Sequence, residues 1–473
     1  MNIRRPRLHF SPETGWINDP NGCIFYQGKY HVFFQHNADK NVQEEIGWGH
    51  AVSEDLVKFE QMEEAILPDR SYDRIGCWSG SSIEKDGKLY LIYTSFGFDE
   101  EGNAQQTISV AFSDDGIRFE KYEGNPVIRN EDKPSGVSKE DFRDPFIYRD
   151  GDGFSALIGT KSAEGEAMIL VYETFDLLSY RYKGKLVQSR KHGTMFECPS
   201  LTRFEDRDLL VFSPQNKAKS GYDFDNISSS VYQIAPREAE FIELDDVREL
   251  DHGGEFYAPL LFSGLSKVYL IAWNQMWGRN YLHRDLGASW CGNLTLPREI
   301  SIEGGRVRQI PVPSVDRYWN REKRETIAVR KKPYSILRGE TCFRMRLTYE
   351  VIKDLVFTLI LKSEDDEKVF MTFDYVSKTI TFDRSELKMA LGGLEDNLVR
   401  EGIRKCALTE KSEEEVDLIF DEHVLELFFN GYTDAMTNLV FMKSVELILE
   451  TDFPLKARLD IRVLESEEKE NGN

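Results

Sequence analysis

A β-hairpin that recurs about every 60 residues restricts most strongly what this chain can fold into. Strand-like runs joined by a Gly or Asp turn occur at 23–26 with 30–34, 82–84 with 89–94, 146–148 with 154–158, 201–204 with 209–212, and 260–262 with 268–273. Their turns register at Gly28, Gly87, Gly153, Asp206 and Gly264, at intervals of 59, 66, 53 and 58 residues. A second series agrees. Ser53-Glu54-Asp55-Leu56-Val57-Lys58-Phe59 resembles Ser113-Asp114-Asp115-Gly116-Ile117-Arg118-Phe119, and Phe59, Phe119, Tyr180 and Phe241 follow at 60, 61 and 61. A unit of this length holds four short strands, and five units set radially around an axis leave no long exposed edge. Residues 1–305 are therefore read as a five-bladed β-propeller.

The remainder is also all-β. A charged stretch within 306–335 reads as a linker. Eight strand-like runs follow, at 342–351, 355–361, 369–373, 379–382, 416–420, 424–429, 444–450 and 457–463, and suggest a C-terminal β-sandwich over 336–466. Residues 467–473 are polar and expected to fray. No cluster in the sandwich has catalytic spacing, so its expected role is to cover the propeller flank or to support a homodimer.

Counting back nine residues from each turn reaches Asp19, Trp78, Asp144, Glu197 and Glu255. If each blade's inner strand starts there, five side chains meet at one mouth of the central channel. Four acids so placed raise one another's pKa, which is costly unless the charge is used. A hard-cation site is the competing reading, but no Asp-x-Asp-x-Asp-Gly loop accompanies the acids and no metal is expected.

Around these anchors stand Trp16-Ile17-Asn18-Asp19-Pro20-Asn21-Gly22, Trp78-Ser79-Gly80-Ser81, Phe142-Arg143-Asp144-Pro145, Glu197-Cys198-Pro199 and Glu255-Phe256-Tyr257-Ala258-Pro259. In this order they closely resemble the motifs of glycoside hydrolase family 32, the β-fructofuranosidases. Gly47-Trp48-Gly49-His50, Ser213-Pro214-Gln215 and Leu296-Pro297-Arg298-Glu299 support the resemblance. It implies a propeller joined to a sandwich, and retaining hydrolysis of a terminal β-fructofuranosyl bond through a covalent fructosyl-enzyme intermediate. By motif, Asp19 corresponds to the nucleophile, Glu197 to the general acid and then base, and Asp144 to the transition-state stabiliser. Asn18, Gln35, Trp78, Ser79, Arg143, Tyr257 and Trp277 are the expected walls of the fructosyl subsite.

The chain also departs from the family pattern. Asn41-Val42-Gln43-Glu44-Glu45 stands where members often carry a Trp, Ser200 follows Glu-Cys-Pro where Asp is frequent, and Glu255 replaces the usual Asp. These changes bear on substrate preference. Sucrose or sucrose 6-phosphate is the expected substrate, with short fructo-oligosaccharides, fructosyl transfer to a sugar acceptor, and a non-catalytic sugar-binding propeller as alternatives. A phosphorylated sugar would need a basic contact, for which Lys217, Lys219, Arg279, His283 and Arg284 are candidates.

A net charge of −22 argues against nucleic acid or anionic lipid as a partner. No apolar run approaches the roughly 20 residues that span a membrane, and none follows the basic start in the manner of a secretion signal. Six scattered cysteines without a Cys-x-x-Cys pair read as reduced packing residues, so a cytoplasmic location is expected. No nucleotide or redox cofactor is expected, since no phosphate loop or dinucleotide fingerprint occurs.

Overall fold

The computed structural model describes residues 3–99, 101–389, 402–409 and 411–465. The expected frayed tail, 467–473, lies outside the described residues. The strands between residues 15 and 311 form five mainly antiparallel sheets, whose inner strands are Gly15–Tyr26, Gly76–Lys85, Val137–Asp150, Met195–Arg203 and Tyr257–Leu261. Each inner strand pairs with the next strand along the chain through a hairpin, as the repeat requires. At Gln27-Gly28 and Asp86-Gly87 both residues have positive φ, the geometry in which a two-residue turn follows the right-handed twist of its strands. Trp290–Cys291 pairs in parallel with the start of the first inner strand, which ties the fifth unit to the first and closes the ring.

The Ser-x-Asp repeats are turn devices. Ser53 Oγ accepts the amides of Asp55 and Leu56, and Asp55 Oδ1 accepts those of Val57 and Lys58. Ser113 with Asp115 repeats the same bonds in the second blade, and Thr174 with Asp176 repeats three of the four in the third.

The inner strands share one irregularity that matters for function. In the first, Asn18 and Asp19 lie between pairs Ile17↔His36 and Pro20↔Phe34 and so face the single residue Gln35. Asp144-Pro145, Cys198-Pro199 and Ala258-Pro259 are bulged in the same way, and the register shifts at Ser79 in the second blade. Proline supplies no amide to the ladder, so an X-Pro step favours a bulge. Asp144, Cys198 and Ala258 adopt positive φ there, at 59°, 47° and 50°. A bulge bends the strand and re-aims its side chains, here at one end of the channel.

The second domain is a sandwich of two six-stranded sheets. It holds twelve strands among the described residues, four more than the sequence reading found: Arg321–Val329, Tyr334–Glu340, Ile403–Ala407 and Asp434–Leu439. The expected linker is accordingly short. Arg306–Pro311 is the outer strand of the fifth blade and Arg321–Val329 an edge strand of the sandwich, with only a 3-10 turn, Pro313–Arg317, between them. The edge position explains the misreading, because an edge strand is kept soluble by charge and most of Arg-Glu-Lys-Arg-Glu-Thr faces solvent.

The two domains meet along the strand Asp434–Leu439. The chain entering the fifth blade runs beside it, with the His252 and Glu255 amides donating to the Ala435 and Thr437 carbonyls. Buried charges are matched across this junction. Arg298 bridges Asp251 and Glu426, each at 3.0 Å, while His9 stands between Asp421 at 2.9 Å and Glu426 at 3.1 Å. His252, Cys406 and Asp434 bring donor atoms within 4.8 Å of one another. Asp434 is already bonded by Arg306 and by Asn430, each at 2.7 Å, so the cluster is an ion network.

Candidate active site

Asp19, Asp144 and Glu197 converge at the bulged ends of the first, third and fourth inner strands. Asp19 is 9% exposed; its Oδ2 accepts a 2.7 Å bond from Ser79 Oγ and its Oδ1 a 3.1 Å bond from Asn18 Nδ2. Asn18 is held in turn by Trp16 Nε1 at 2.7 Å. The backbone amide of Asp144 donates to Thr94 Oγ1 at 2.8 Å, and its Oδ2 accepts the Cys198 amide at 2.9 Å. Glu197 Oε1 receives two bonds from Arg143, from Nε at 3.1 Å and NH2 at 3.0 Å, while the Tyr257 hydroxyl donates to Oε2.

Cys198 joins the acids. Its thiol lies 3.7 Å from Asp19 Oδ2 and 3.7 Å from Asp144 Oδ2 while its amide bonds Asp144. The sequence reading had taken it for packing. The signal that could have found it is the Pro that follows, which marks the same bulge as Asp144-Pro145. Three further side chains went unnoticed because they act through Arg143: Asp141 Oδ1 accepts from its NH1 at 2.9 Å, Gln106 Oε1 at 3.3 Å, and Lys161 holds the other Asp141 oxygen at 2.6 Å.

Burial dominates the electrostatics. It pushes the Asp19 carboxyl up to about 6, with the Glu197 charge adding and the Ser79 and Asn18 bonds opposing. Asp144 rises further, to about 7, again chiefly by burial, with Arg143 opposing and Glu197 and Asp19 adding. Burial thus brings two of the carboxyls, Asp19 and Asp144, towards neutrality.

The other expected residues divide. Ser79, Asn18, Arg143 and Tyr257 touch the acids. Gln35 is buried and donates to the Cys77 carbonyl at 3.0 Å. Trp78 is half-buried against Phe96, with ring centroids 4.5 Å apart. Trp277 stacks at 6.2 Å on Trp16, in an aromatic wall that includes Trp273.

Glu255 does not belong to the mouth. It is fully buried at the domain junction, where Arg384 of the sandwich grips both its oxygens at 2.7 and 2.8 Å and the Leu439 amide adds a third bond. Burial alone would raise its pKa; Arg384, Arg279 and that amide outweigh it and hold the carboxyl near 2. Tyr257 supplies the fifth blade's contact instead. The ring of four acids is thus a ring of three. Two phosphate candidates are also removed from the mouth: Arg279 bonds Asn226 and the Gly254 carbonyl, and His283 meets His423 of the sandwich at 2.8 Å, all buried.

Residues 9–311 match the N-terminal domain of glycosyl hydrolases family 32, and residues 320–460 match the family's C-terminal domain. The chain belongs to family 32. As a member it is a glycosidase. A raffinose invertase of Escherichia coli is 36% identical over 67% of this chain and 66% of that protein. A sucrose-6-phosphate hydrolase of Zymomonas mobilis is 30% identical over 96% of this chain and 88% of its own. Among solved structures, a Bombyx mori family-32 β-fructofuranosidase in complex with sucrose superposes with a TM-score of 0.84 at 26% identity, covering 97% of this chain and 94% of that one. No helix among the described residues is long and apolar enough to cross a membrane.

Proposed function

We propose that this chain hydrolyses the terminal β-fructofuranosyl bond of sucrose-type sugars by double displacement, with Asp19, Glu197 and Asp144 in the roles their motifs suggest. The observation that carries the reading is three acids gathered at or beside the bulges of three inner strands, with Cys198 against the buried Asp19 and Asp144 and Arg143 on the part-buried Glu197. In the first step an Asp19 oxygen bonds to the fructosyl anomeric carbon as the glycosidic bond breaks, and Glu197 gives its proton to the departing sugar oxygen. In the second, Glu197 takes a proton from water, whose oxygen displaces Asp19 and releases fructose. Asp144 bonds fructosyl hydroxyls, and those bonds strengthen as positive charge develops on the ring.

Arg143 and Tyr257 act as positioning residues for Glu197, and Ser79 and Asn18 aim Asp19. The site is assembled from one chain, so the reaction is proposed for the single chain. We place the enzyme in the cytoplasm on the ground of its six buried, unbridged cysteines.

Glu197→Gln tests the assignment. General acid–base catalysis is worth roughly 10²–10⁴-fold, so kcat for sucrose should fall in that range while the circular dichroism spectrum stays that of the wild type. Turnover within threefold of wild type would overturn the role of Glu197.

A further inference from the structure

We infer that the cleft beside Trp78 receives the leaving sugar, and that it is built for an uncharged group larger than one hexose in preference to a phosphorylated one. The inference rests on the β-fructofuranosidase reading and adds what that reading leaves open, the chemistry of the leaving group.

Topology places the cleft at the site. The loop 38–46 leaves the strand Lys29–Asn37 at the end that pairs with the start of the first inner strand, Trp16↔Asn37. Arg74 and Ile75 immediately precede the second inner strand, Gly76–Lys85, and Ile46 bridges to Gly76. Both segments therefore border the mouth that holds the acids. Trp78 is followed by Ser79, which bonds Asp19 at 2.7 Å. The cleft between them has a volume of about 590 Å³. The cleft is open to solvent, so a leaving group longer than one hexose can extend along it.

Its lining suits a neutral sugar. Trp78 and Ile75 offer apolar surface for the faces of sugar rings, and the rim carries Lys40, Arg74, Glu44 and Glu45. The rim is balanced, with two cations against two carboxylates, and Lys40 Nζ already stands between Glu44 at 3.5 Å and Glu45 at 3.6 Å. A sugar phosphate carries about −1.5 to −2 charges at neutral pH and is recognised where cations are in surplus. The neighbouring acids add negative charge, and Arg143 is committed to Glu197 and Asp141. None of the other basic candidates lines the cleft: Arg279 and His283 are buried at the domain junction, Lys219 pairs with Asp225 at 2.9 Å, and Arg284 with Asp285 at 3.2 Å. Lys217 is part-buried over the Phe224 ring and 3.2 Å from His192. The loop that elsewhere in the family often carries a Trp thus contributes acid and amide groups here, hydrogen-bonding partners for hydroxyls.

Raffinose and sucrose 6-phosphate form a matched pair for the test, because each extends sucrose at the same glucosyl oxygen, one with a neutral galactosyl and the other with a phosphate. With purified protein, kcat/KM for raffinose should equal that for sucrose within threefold or exceed it, and that for sucrose 6-phosphate should be at least tenfold lower. In the double variant Glu44→Gln, Glu45→Gln the two rim cations become surplus, and the ratio of sucrose 6-phosphate to raffinose should rise at least fivefold. Sucrose 6-phosphate cleaved as well as raffinose, raffinose as poor as sucrose 6-phosphate, or an unchanged ratio in the variant would each overturn the inference while leaving fructoside hydrolysis standing. Failure to cleave any of the three sugars would overturn the β-fructofuranosidase reading itself.

Discussion

Removing Arg384 should destabilise the whole protein through a residue the sequence had assigned to the mouth. Glu255 titrates near 2 where an ordinary glutamate titrates near 4.5, a difference worth about 3 kcal/mol in favour of the charged form. Breaking a buried pair from one side costs roughly 3–5 kcal/mol, since it strands the other charge. Arg384→Met leaves Glu255 with the Leu439 amide and with Arg279, whose Nε is 3.8 Å away. We therefore expect urea unfolding at pH 7, followed by tryptophan fluorescence, to report a loss of about 3–5 kcal/mol. Replacing both partners with methionine strands neither of them, and should recover about half of that loss or more. The sign with pH is set by a depressed carboxyl pKa: the contribution is fully present above about 4.5 and fades as pH falls towards 2. A loss below about 1 kcal/mol in the single variant, or a double variant no more stable than the single one, would refute the reasoning. Were Glu255 a mouth acid instead, Glu255→Met would lose turnover and keep its stability.

Two further expectations concern pH. Asp19 must be ionised to attack, so kcat/KM should rise as pH passes about 6. Ser79→Ala removes a bond that favours the charged form and should move that limb upward by on the order of one pH unit; an unmoved limb would exclude Ser79 from setting it. His9 is buried, which lowers its pKa, but the Asp421 and Glu426 carboxylates overcome this and raise it to about 9. Its stabilising contribution is therefore complete below about 6.5 and lost as pH rises through 9. The urea midpoint should be lower at pH 9.5 than at pH 6.5, and His9→Gln should lose most of that difference.

Hairpin spacing and turn residues are local, and they are enough to read five blades and a sandwich from the sequence, while the motifs around the anchors point to Asp19, Asp144 and Glu197. Counting back a fixed distance failed where strand and turn lengths departed from the repeat. The fourth inner strand runs on for six residues from Glu197 to its end at Arg203, whereas the fifth runs on for only four from Tyr257 to Leu261. The shorter strand displaced the count to Glu255, two residues short of Tyr257. Nor could composition separate an edge strand such as Arg321–Val329 from a linker, because both are charged.

By itself, then, the sequence determined the repeat and the all-β class, which follow from spacing along the chain, and its motifs singled out Asp19, Asp144 and Glu197 as the proposed reactive acids. Only the tertiary structure decided where Glu255, Arg279 and His283 point and which groups neutralise them. A buried charge is placed by the partner that compensates it, and Arg384 lies 129 residues from Glu255 in the chain. The same holds for the Trp78 cleft, whose balanced rim comes from two loops on different blades that meet only when the propeller closes.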